Sequence, residues 1–236
     1  RVKAPLCARA NIRARPRREQ WRMQGNRLLA SLPRQCYRQL APRLAPVALV
    51  FGEVLYEPGA PIRDVYFPGG SVVSLLTVVD GRSALEVGLV GREGMVGIPL
   101  ALGIGVSPVR ALVQGRGSAL RMSAAGLRKS LRASPALRRA LHRYAAALMA
   151  QITQTAACNR FHRVEARLAR WLLMTRDRVG AGEFHLTQEF LAHMLGVRRE
   201  GVTEAASALQ RRGLIGYRRG DIRIVDLKYT HGFSAG

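Results

Sequence analysis

The residues whose types could support metal or thiol chemistry do not cluster along this chain. Its three cysteines, Cys7, Cys36 and Cys158, form no CxxC pair; this excludes a four-thiolate metal site or a disulfide framework within one chain and is typical of a reducing compartment. A cupin-like enzyme needs histidines and a carboxylate that converge from its strands, whereas residues 46–121, the strand-like part, contain no histidine. The sequence therefore predicts no metal site, no cofactor and no enzyme.

Residues near the C-terminus instead have the spacing that reading DNA bases requires. Thr187 can cap a first helix, Gly196 supplies a left-handed turn, and a second helix spans residues 198–212. Arginine recognises guanine and glutamate accepts from the cytosine amino group when such a helix enters the major groove. The predicted DNA-contacting residues are Arg198, Arg199, Glu200, Thr203, Glu204 and Ser207 on the second helix, and Thr187 and Gln188 at the start of the first.

Two apolar runs after the second helix predict a β-hairpin. Residues 213–217 and 222–225 flank a turn that contains Arg218, Arg219, Gly220 and Asp221. The two arginines would lie near the tip of this hairpin, where they can contact DNA phosphates. The C-terminal part is therefore predicted to be a winged helix-turn-helix domain.

The charge balance agrees with a polyanionic partner. Lys and Arg number 38 against 15 Asp and Glu, which gives a net charge of +23. Between Glu93 and Glu165 there are eleven Lys or Arg residues and no acid, which predicts a broad positive surface that attracts phosphates in a salt-dependent way. The first 22 residues carry eight Lys or Arg and one acid, and we expect a disordered basic arm over residues 1–25.

The pattern of apolar residues, glycines and prolines changes twice in the middle of the chain. Residues 26–45 indicate short helices broken by prolines, and residues 46–121 are short apolar runs separated by glycines and prolines. Asp80-Gly81 between two such runs is a hairpin-turn signal, and the spacing predicts an antiparallel sandwich or barrel. A helix over residues 164–179 would end at Gly180-Ala181-Gly182.

A long helix is predicted to begin at Ser134-Pro135, with the proline in its first turn. Its apolar residues recur every three or four positions, which makes a single stripe suited to packing against another element. Periodicity alone leaves open whether the stripe packs on the core of its own domain or forms an interface between two copies. The stripe consists of Leu137, Leu141, Tyr144, Leu148, Ile152 and Thr155.

These segments resemble the Crp/Fnr family of bacterial transcription regulators. Residues 186–202 resemble the family's DNA-binding signature, and residues 52–59, 65–67 and 70–72 resemble the glycine-spaced turns of its cyclic-nucleotide-binding-type β-roll. The resemblance covers residues 26–228. It implies an α+β fold with an N-terminal antiparallel, jelly-roll-like β-roll, a long dimerisation helix and a C-terminal winged helix-turn-helix. It also implies a homodimer on a palindromic site, and so favours the interface alternative for the striped helix.

The chain departs from the family pattern at the recognition helix. Arg199 and Glu200 match the family's Arg-Glu pair, but Glu204 occupies the place of the later arginine. Because an acceptor cannot read guanine as arginine does, a different operator sequence is expected.

The effector pocket departs further. Where cyclic-AMP-binding relatives place a ribose-binding glutamate, this chain has Met95, which cannot hydrogen-bond a ribose diol usefully. The 29-residue separation of Cys7 and Cys36 does not suit an iron–sulfur cluster, and His142 and His162 lie where a histidine is usually a surface residue. Cyclic AMP, iron–sulfur and haem sensing are therefore not expected. The residues at the pocket positions are Gly94, Met95, Val96, Gly97, Arg110 and Ala111.

The sequence thus predicts a cytoplasmic, dimeric, sequence-specific transcription regulator whose effector is unassigned. The alternatives are a charge-driven, non-specific nucleic-acid-binding protein and, less favoured, the cupin-like enzyme. Expected partners are double-stranded DNA and a second copy, with RNA polymerase a candidate; no apolar run has the roughly 20 residues of a membrane helix. The predicted division is a basic arm (1–25), a β-roll sensor (26–133), a dimerisation helix (134–160), a winged helix-turn-helix (161–228) and a tail (229–236).

Overall fold

The computed structural model describes residues 25–79, 83–179, 183–218 and 220–226. Several predictions fall outside these residues: the basic arm up to residue 24, the Asp80-Gly81 turn, the Gly180-Ala181-Gly182 stop, Arg219 and the C-terminal tail.

The N-terminal half is an antiparallel β-roll preceded by short helices. Its two sheets have the strand orders β1-β7-β3 and β2-β6-β4-β5, and all their pairings are antiparallel. The helices are α1 (Arg27–Ala30), α2 (Arg34–Leu40) and a 3-10 turn (Ala41–Arg43). The strands are β1 (Ala45–Leu49), β2 (Val54–Tyr56), β3 (Asp64–Pro68), β4 (Val72–Val79), β5 (Ser83–Val90), β6 (Arg110–Gly115) and β7 (Gly117–Ser123), with a second 3-10 helix at Ile98–Leu102.

Two helices follow the roll: α3 (Ala124–Ala133) and the long α4 (Pro135–Phe161). Ser134 caps α4, since its hydroxyl accepts from the Leu137 backbone N–H at 3.2 Å, and Pro135 opens the first turn as predicted. Gln151 ties the helix to β5 by accepting from the Leu89 N–H at 2.9 Å and donating to the Leu89 carbonyl at 3.1 Å. One side of α4 is therefore fixed against the roll.

That side is the apolar stripe, and this corrects its predicted role as the dimer interface. Leu137, Leu141, Tyr144 and Leu148 are buried in the chain's own core, and Ile152 packs against it. Thr155 accepts a hydrogen bond from Arg170 of the following helix at 3.1 Å. Helical periodicity reveals that one side is apolar but not which surface it meets, and here the β-roll supplies that surface.

The C-terminal part has the predicted winged arrangement. It comprises α5 (Val164–Val179), β8 (Glu183–His185), α6 (Gln188–Leu195), α7 (Arg199–Arg211), β9 (Ile215–Arg218) and β10 (Asp221–Ile224). The strands form an antiparallel sheet of order β8-β10-β9. The predicted α+β fold, with an antiparallel N-terminal roll and a C-terminal helix-turn-helix, is confirmed.

The two parts share an apolar contact. Leu76, Ala84 and Leu112, from the outer side of the four-stranded sheet, belong to the same buried cluster as the core of the helix-turn-helix. The rings of Phe51 and Phe190 lie 5.9 Å apart across this contact. Because β4 is covered on both sides, its first five residues are all buried.

Candidate nucleic-acid interface

The turn between α6 and α7 is built by local interactions. Thr187 caps α6 by accepting from the Phe190 N–H at 3.1 Å, and Gly196 ends it with φ 62° and ψ 40°. A Cβ at Gly196 would lie 2.7 Å from Leu85 Cδ1 of β5. The left-handed backbone therefore favours glycine, whereas the close approach of the roll involves only the movable end of the Leu85 side chain.

Helix α7 buries one side and exposes the other. Val202, Ala205, Ala206 and Leu209 face the domain core. Gly201, on the exposed half, has no atom within 4 Å of the position of a Cβ, so a partner has room to approach the backbone there. The structure brings the predicted set together on the outward surface: Arg198, Arg199, Glu200, Thr203 and Glu204 are exposed, and Ser207 is half-buried.

Gln188 links the starts of the two helices. Its Oε1 accepts from Thr203 Oγ1 at 3.0 Å and lies 3.5 Å from Arg199 Nε. Tyr217 of β9 also hydrogen-bonds Gln188, and burial raises the pKa of this tyrosine, so the phenol stays neutral. Sequence reasoning missed Tyr217, because nothing in a local pattern indicates that a wing residue meets the start of α6. The cluster links Thr203, and more weakly Arg199, to the start of α6.

The wing places Arg218 on the surface at the end of β9, while Arg219 lies outside the described residues. Gly220 follows with φ 91°, a backbone conformation that favours glycine in the turn. Asp221 at the start of β10 is held by His185 of β8, with 2.7 Å between Oδ1 and Nδ1. Arg218 is thus available at the edge of the wing for a phosphate.

The predicted effector residues lie in the roll, but most of them are packing residues. Met95, Val96 and Ala111 are fully buried in the core. A Cβ at Gly94 would come within 2.2 Å of Tyr144 ring atoms, and one at Gly97, where φ is +96°, would lie 2.8 Å from Tyr56 Oη. Of the predicted pocket residues, Met95, Val96 and Gly97 line the small cavity described below, whereas Gly94, Arg110 and Ala111 do not line it.

Arg110 also departs from the predicted pocket, because it faces outwards from β6. Its Nε donates to Glu57 Oε2 at 2.9 Å in a partly exposed ion pair. Alternation along a strand explains the difference: when Ala111 points into the core, its neighbour points away. Arg110 therefore cannot hold a phosphate inside the roll.

A cavity of about 110 Å³ remains between the roll and α4, beside Tyr56, Leu75, Met95, Val109, Leu148 and Ile152. None of its lining residues is charged, and its volume is well below the roughly 300–1,000 Å³ of ordinary ligand sites. A cyclic nucleotide does not fit, since its phosphate would find no cation.

A buried polar cluster joins the roll to α5. Glu86 of β5 accepts from Trp171 Nε1 at 2.9 Å, and its other oxygen lies 2.7 Å from Ser74 Oγ. Ser74 Oγ also contacts Gln114 Oε1. Burial raises the pKa of Glu86 to about 8 against the lowering effect of the Ser74 and Trp171 hydrogen bonds. Sequence reasoning missed this cluster, because a lone glutamate in a strand is usually solvated.

A second link between the parts is an ion pair. Glu93 Oε1 accepts from Arg178 Nε of α5 at 2.8 Å, with the arginine side chain only 12% exposed. The sequence did not indicate this ion pair, because its two partners are 85 positions apart. The roll therefore holds α5, which precedes the helix-turn-helix, by apolar, hydrogen-bonded and ionic contacts.

Over the described residues, no group of three or more His, Cys, Asp or Glu side chains is arranged to hold a metal ion. The helices in that part of the chain include none of the length and apolar character needed to cross a membrane.

Comparison with known proteins agrees with this arrangement. Residues 166–229 match the family model of the Crp-like helix-turn-helix domain. No curated protein sequence matches the chain. The resemblance read from the sequence is thus supported over the helix-turn-helix by a family model.

Solved structures extend the similarity to the whole fold. A putative Crp/Fnr transcriptional regulator from Eubacterium rectale is 16% identical with a TM-score of 0.69, covering 89% of this chain and 98% of its own. FixK2 from Bradyrhizobium japonicum is 17% identical with a TM-score of 0.70, covering 82% and 98%. A CRP/FNR-family regulator from Thermus thermophilus is 23% identical with a TM-score of 0.66, covering 81% and 99%.

Proposed function

For a chain with the Crp/Fnr regulator fold and a Crp-like helix-turn-helix domain, we propose the function of a homodimeric, sequence-specific transcription regulator. The observation that carries the proposal is the outward set of α7, held by Gln188 on an exposed surface. In functional terms, residues 26–133 act as the sensor, 134–160 as the dimerisation helix and 161–228 as the DNA-binding domain.

DNA reading is assigned to the first half of α7. Arg199 is positioned to recognise guanine, and Glu200 and Glu204 can accept from cytosine amino groups. Arg198, Thr203 and Ser207 lie on the same surface, and Arg218 of the wing contacts the phosphate backbone. Gln188 and Thr187 at the start of α6 would contact the backbone beside the groove.

The second copy docks on the exposed side of α4. Ala146, Met149, Ala150, Thr153 and Ala157 share this face, and Met149 is 65% exposed. No charged residue occurs between Tyr144 and Asn159, so two such faces meet without burying a charge. Small side chains let the helix axes approach closely, and the pairing sets two recognition helices about one DNA turn, ~34 Å, apart.

Selection of bound sites from a random duplex library tests the proposal. We expect a palindromic motif without added cyclic nucleotide, and affinity that falls steeply with salt. Arg199→Ala should lose roughly tenfold or more in affinity for the selected site, the value of one bidentate base contact. Arg128→Ala, at an exposed arginine of α3, removes the same charge and should leave the motif unchanged.

Two results would contradict the proposal. Equal affinity for selected and random duplexes would favour charge-driven coating of nucleic acid instead. An unchanged motif in Arg199→Ala would remove α7 as the reading helix. Regulation through RNA polymerase contact is a further expectation, tested by transcription from a promoter carrying the selected site.

A further inference from the structure

A groove on the outside of the roll is separate from both the roll interior and the helix-turn-helix. It lies where α1, α2 and the 3-10 turn Ala41–Arg43 cross the three-stranded sheet β1-β7-β3. Its volume is about 890 Å³, which is within the range of ligand sites and about eight times that of the cavity under α4. The fold thus provides room for a small molecule here rather than inside the roll.

The floor and walls of the groove are apolar, and its rim is basic. Pro42, Leu44, Pro46 and Leu120 supply the apolar surface, with the buried Leu29, Leu32 and Phe67 beneath it. No acidic residue lines the groove, whereas Arg34 and Arg38 both do.

The two arginines stand one helical turn apart on the same side of α2, and both are exposed. Within the described part of the chain, neither pairs with a carboxylate. Tyr37 and Ser118 add two side-chain hydroxyls that line the groove and have no hydrogen-bond partner among the described residues. An apolar trough with a few polar and charged groups at its rim is the usual composition of a ligand site.

We propose that this groove binds an amphipathic oxyanion, an acyl chain whose carboxylate or phosphate head meets Arg34 and Arg38. Guanidinium groups pair with both kinds of oxyanion through charge-assisted hydrogen bonds, and the apolar walls remove the chain from water. The segment that precedes Gly25 is a poor occupant, because residues 1–22 carry eight Lys or Arg and one acid. A basic segment would meet the two rim arginines with like charge.

Calorimetric titration of the full chain with three ten-carbon amphiphiles tests the proposal below their aggregation concentrations. Decanoate and decyl phosphate should each bind with one site per chain, and the comparison shows which head is preferred. Decyltrimethylammonium, which has the same tail and the opposite charge, should bind at least tenfold more weakly. Absence of decanoate and decyl phosphate binding, or equal binding of the cationic amphiphile, would overturn the proposal.

Variants locate the site. Arg34→Glu combined with Arg38→Glu should weaken decanoate binding by about tenfold or more, the usual value of hydrogen bonds to a charged group. Arg132→Glu combined with Arg139→Glu makes the same charge change at exposed positions outside the groove. This control should not weaken decanoate binding. Ala30→Trp, at an exposed position lining the groove, should block binding by filling it.

Other candidate occupants of this groove, a membrane surface or a second copy of the chain, are distinguished by separate measurements. Equal weakening by both double variants would indicate a long-range charge effect and overturn the proposal. Binding to phosphatidylglycerol vesicles but not to decanoate would identify a membrane surface instead, and dissociation of a dimer by Ala30→Trp would identify a second copy. Because none of these measurements involves DNA, the inference stands or fails independently of the proposed function.

Discussion

At the scale of single residues, Glu86 has an unusual environment whose chemistry favours the neutral acid. The hydroxyl hydrogen of Ser74 can serve only one of its two acceptor neighbours, Glu86 Oε2 and Gln114 Oε1. When Glu86 is protonated, it donates to Ser74 and the serine donates to Gln114, which satisfies the whole chain of bonds. Burial, the largest effect on the pKa of Glu86, favours this protonated arrangement over the lowering effect of the hydrogen bonds. The Trp171 N–H still has its acceptor.

This environment predicts a pH-dependent stability. Because the pKa of Glu86 is about 8 when folded and 4.5 ordinarily, the folded state retains a proton that the unfolded state loses between these values. The stabilising contribution is complete below pH 4.5 and is lost as pH rises through 8, with a slope approaching ~1.4 kcal/mol per pH unit. Urea unfolding from pH 5 to 8 measures this slope.

Glu86→Gln is the matched control, because a glutamine amide can donate to Ser74 and accept from Trp171 without titrating. The variant should unfold with a flatter pH dependence than the parent chain and with equal or greater stability near pH 8. Parallel pH profiles for the two proteins would show that Glu86 does not hold the proton.

At the scale of elements, two glycines of the helix-turn-helix should respond oppositely to the same substitution. Gly196→Ala forces a Cβ onto a residue with a left-handed backbone, φ +62°, and should lower the free energy of unfolding by roughly 1–3 kcal/mol. Gly201→Ala lies in a helix with open space around it, and should raise the free energy of unfolding by up to about 1 kcal/mol.

Thermal unfolding of both variants checks this pair. Gly201→Ala should in addition weaken binding to the selected DNA site, if the open space above Gly201 receives the duplex. Loss of stability in both variants would mean that α7 is packed more closely than its surroundings indicate.

At the scale of the whole molecule, the two sides of α4 have different consequences for assembly. Met149→Glu together with Ala150→Glu places charge on the exposed face and should dissociate the proposed dimer while leaving the chain folded. Leu141→Ala removes a fully buried core side chain, and should cost roughly 2–5 kcal/mol of stability without changing the oligomeric state of the folded protein.

Sedimentation equilibrium and thermal unfolding together separate the two effects. A monomeric parent chain, or a Met149/Ala150 double variant that remains dimeric, would refute the assignment of this face as the interface. The same double variant should lose affinity for a palindromic site but retain affinity for a half-site, since the reading helix is untouched.

Features that depend on neighbouring residues could be predicted from the sequence alone. The cap at Thr187, the left-handed Gly196, the proline at the start of α4 and the alternating or helical apolar periods all act over a few residues. They were sufficient to predict an antiparallel sandwich or barrel, the long helix and the winged helix-turn-helix, together with the outward residues of α7. The roll itself followed from the family resemblance.

Which surfaces meet could not be predicted in this way, because it depends on how distant elements pack. The stripe from Leu137 to Leu148 is buried because the roll provides an apolar surface for it. Arg110 faces outwards because Ala111 takes the core position on β6. Glu86 accepts a hydrogen bond from Trp171, which lies 85 positions away in the sequence. No local pattern encodes this pairing. Periodicity fixes which residues share a face, whereas the partner of that face depends on long-range packing among elements distant in sequence.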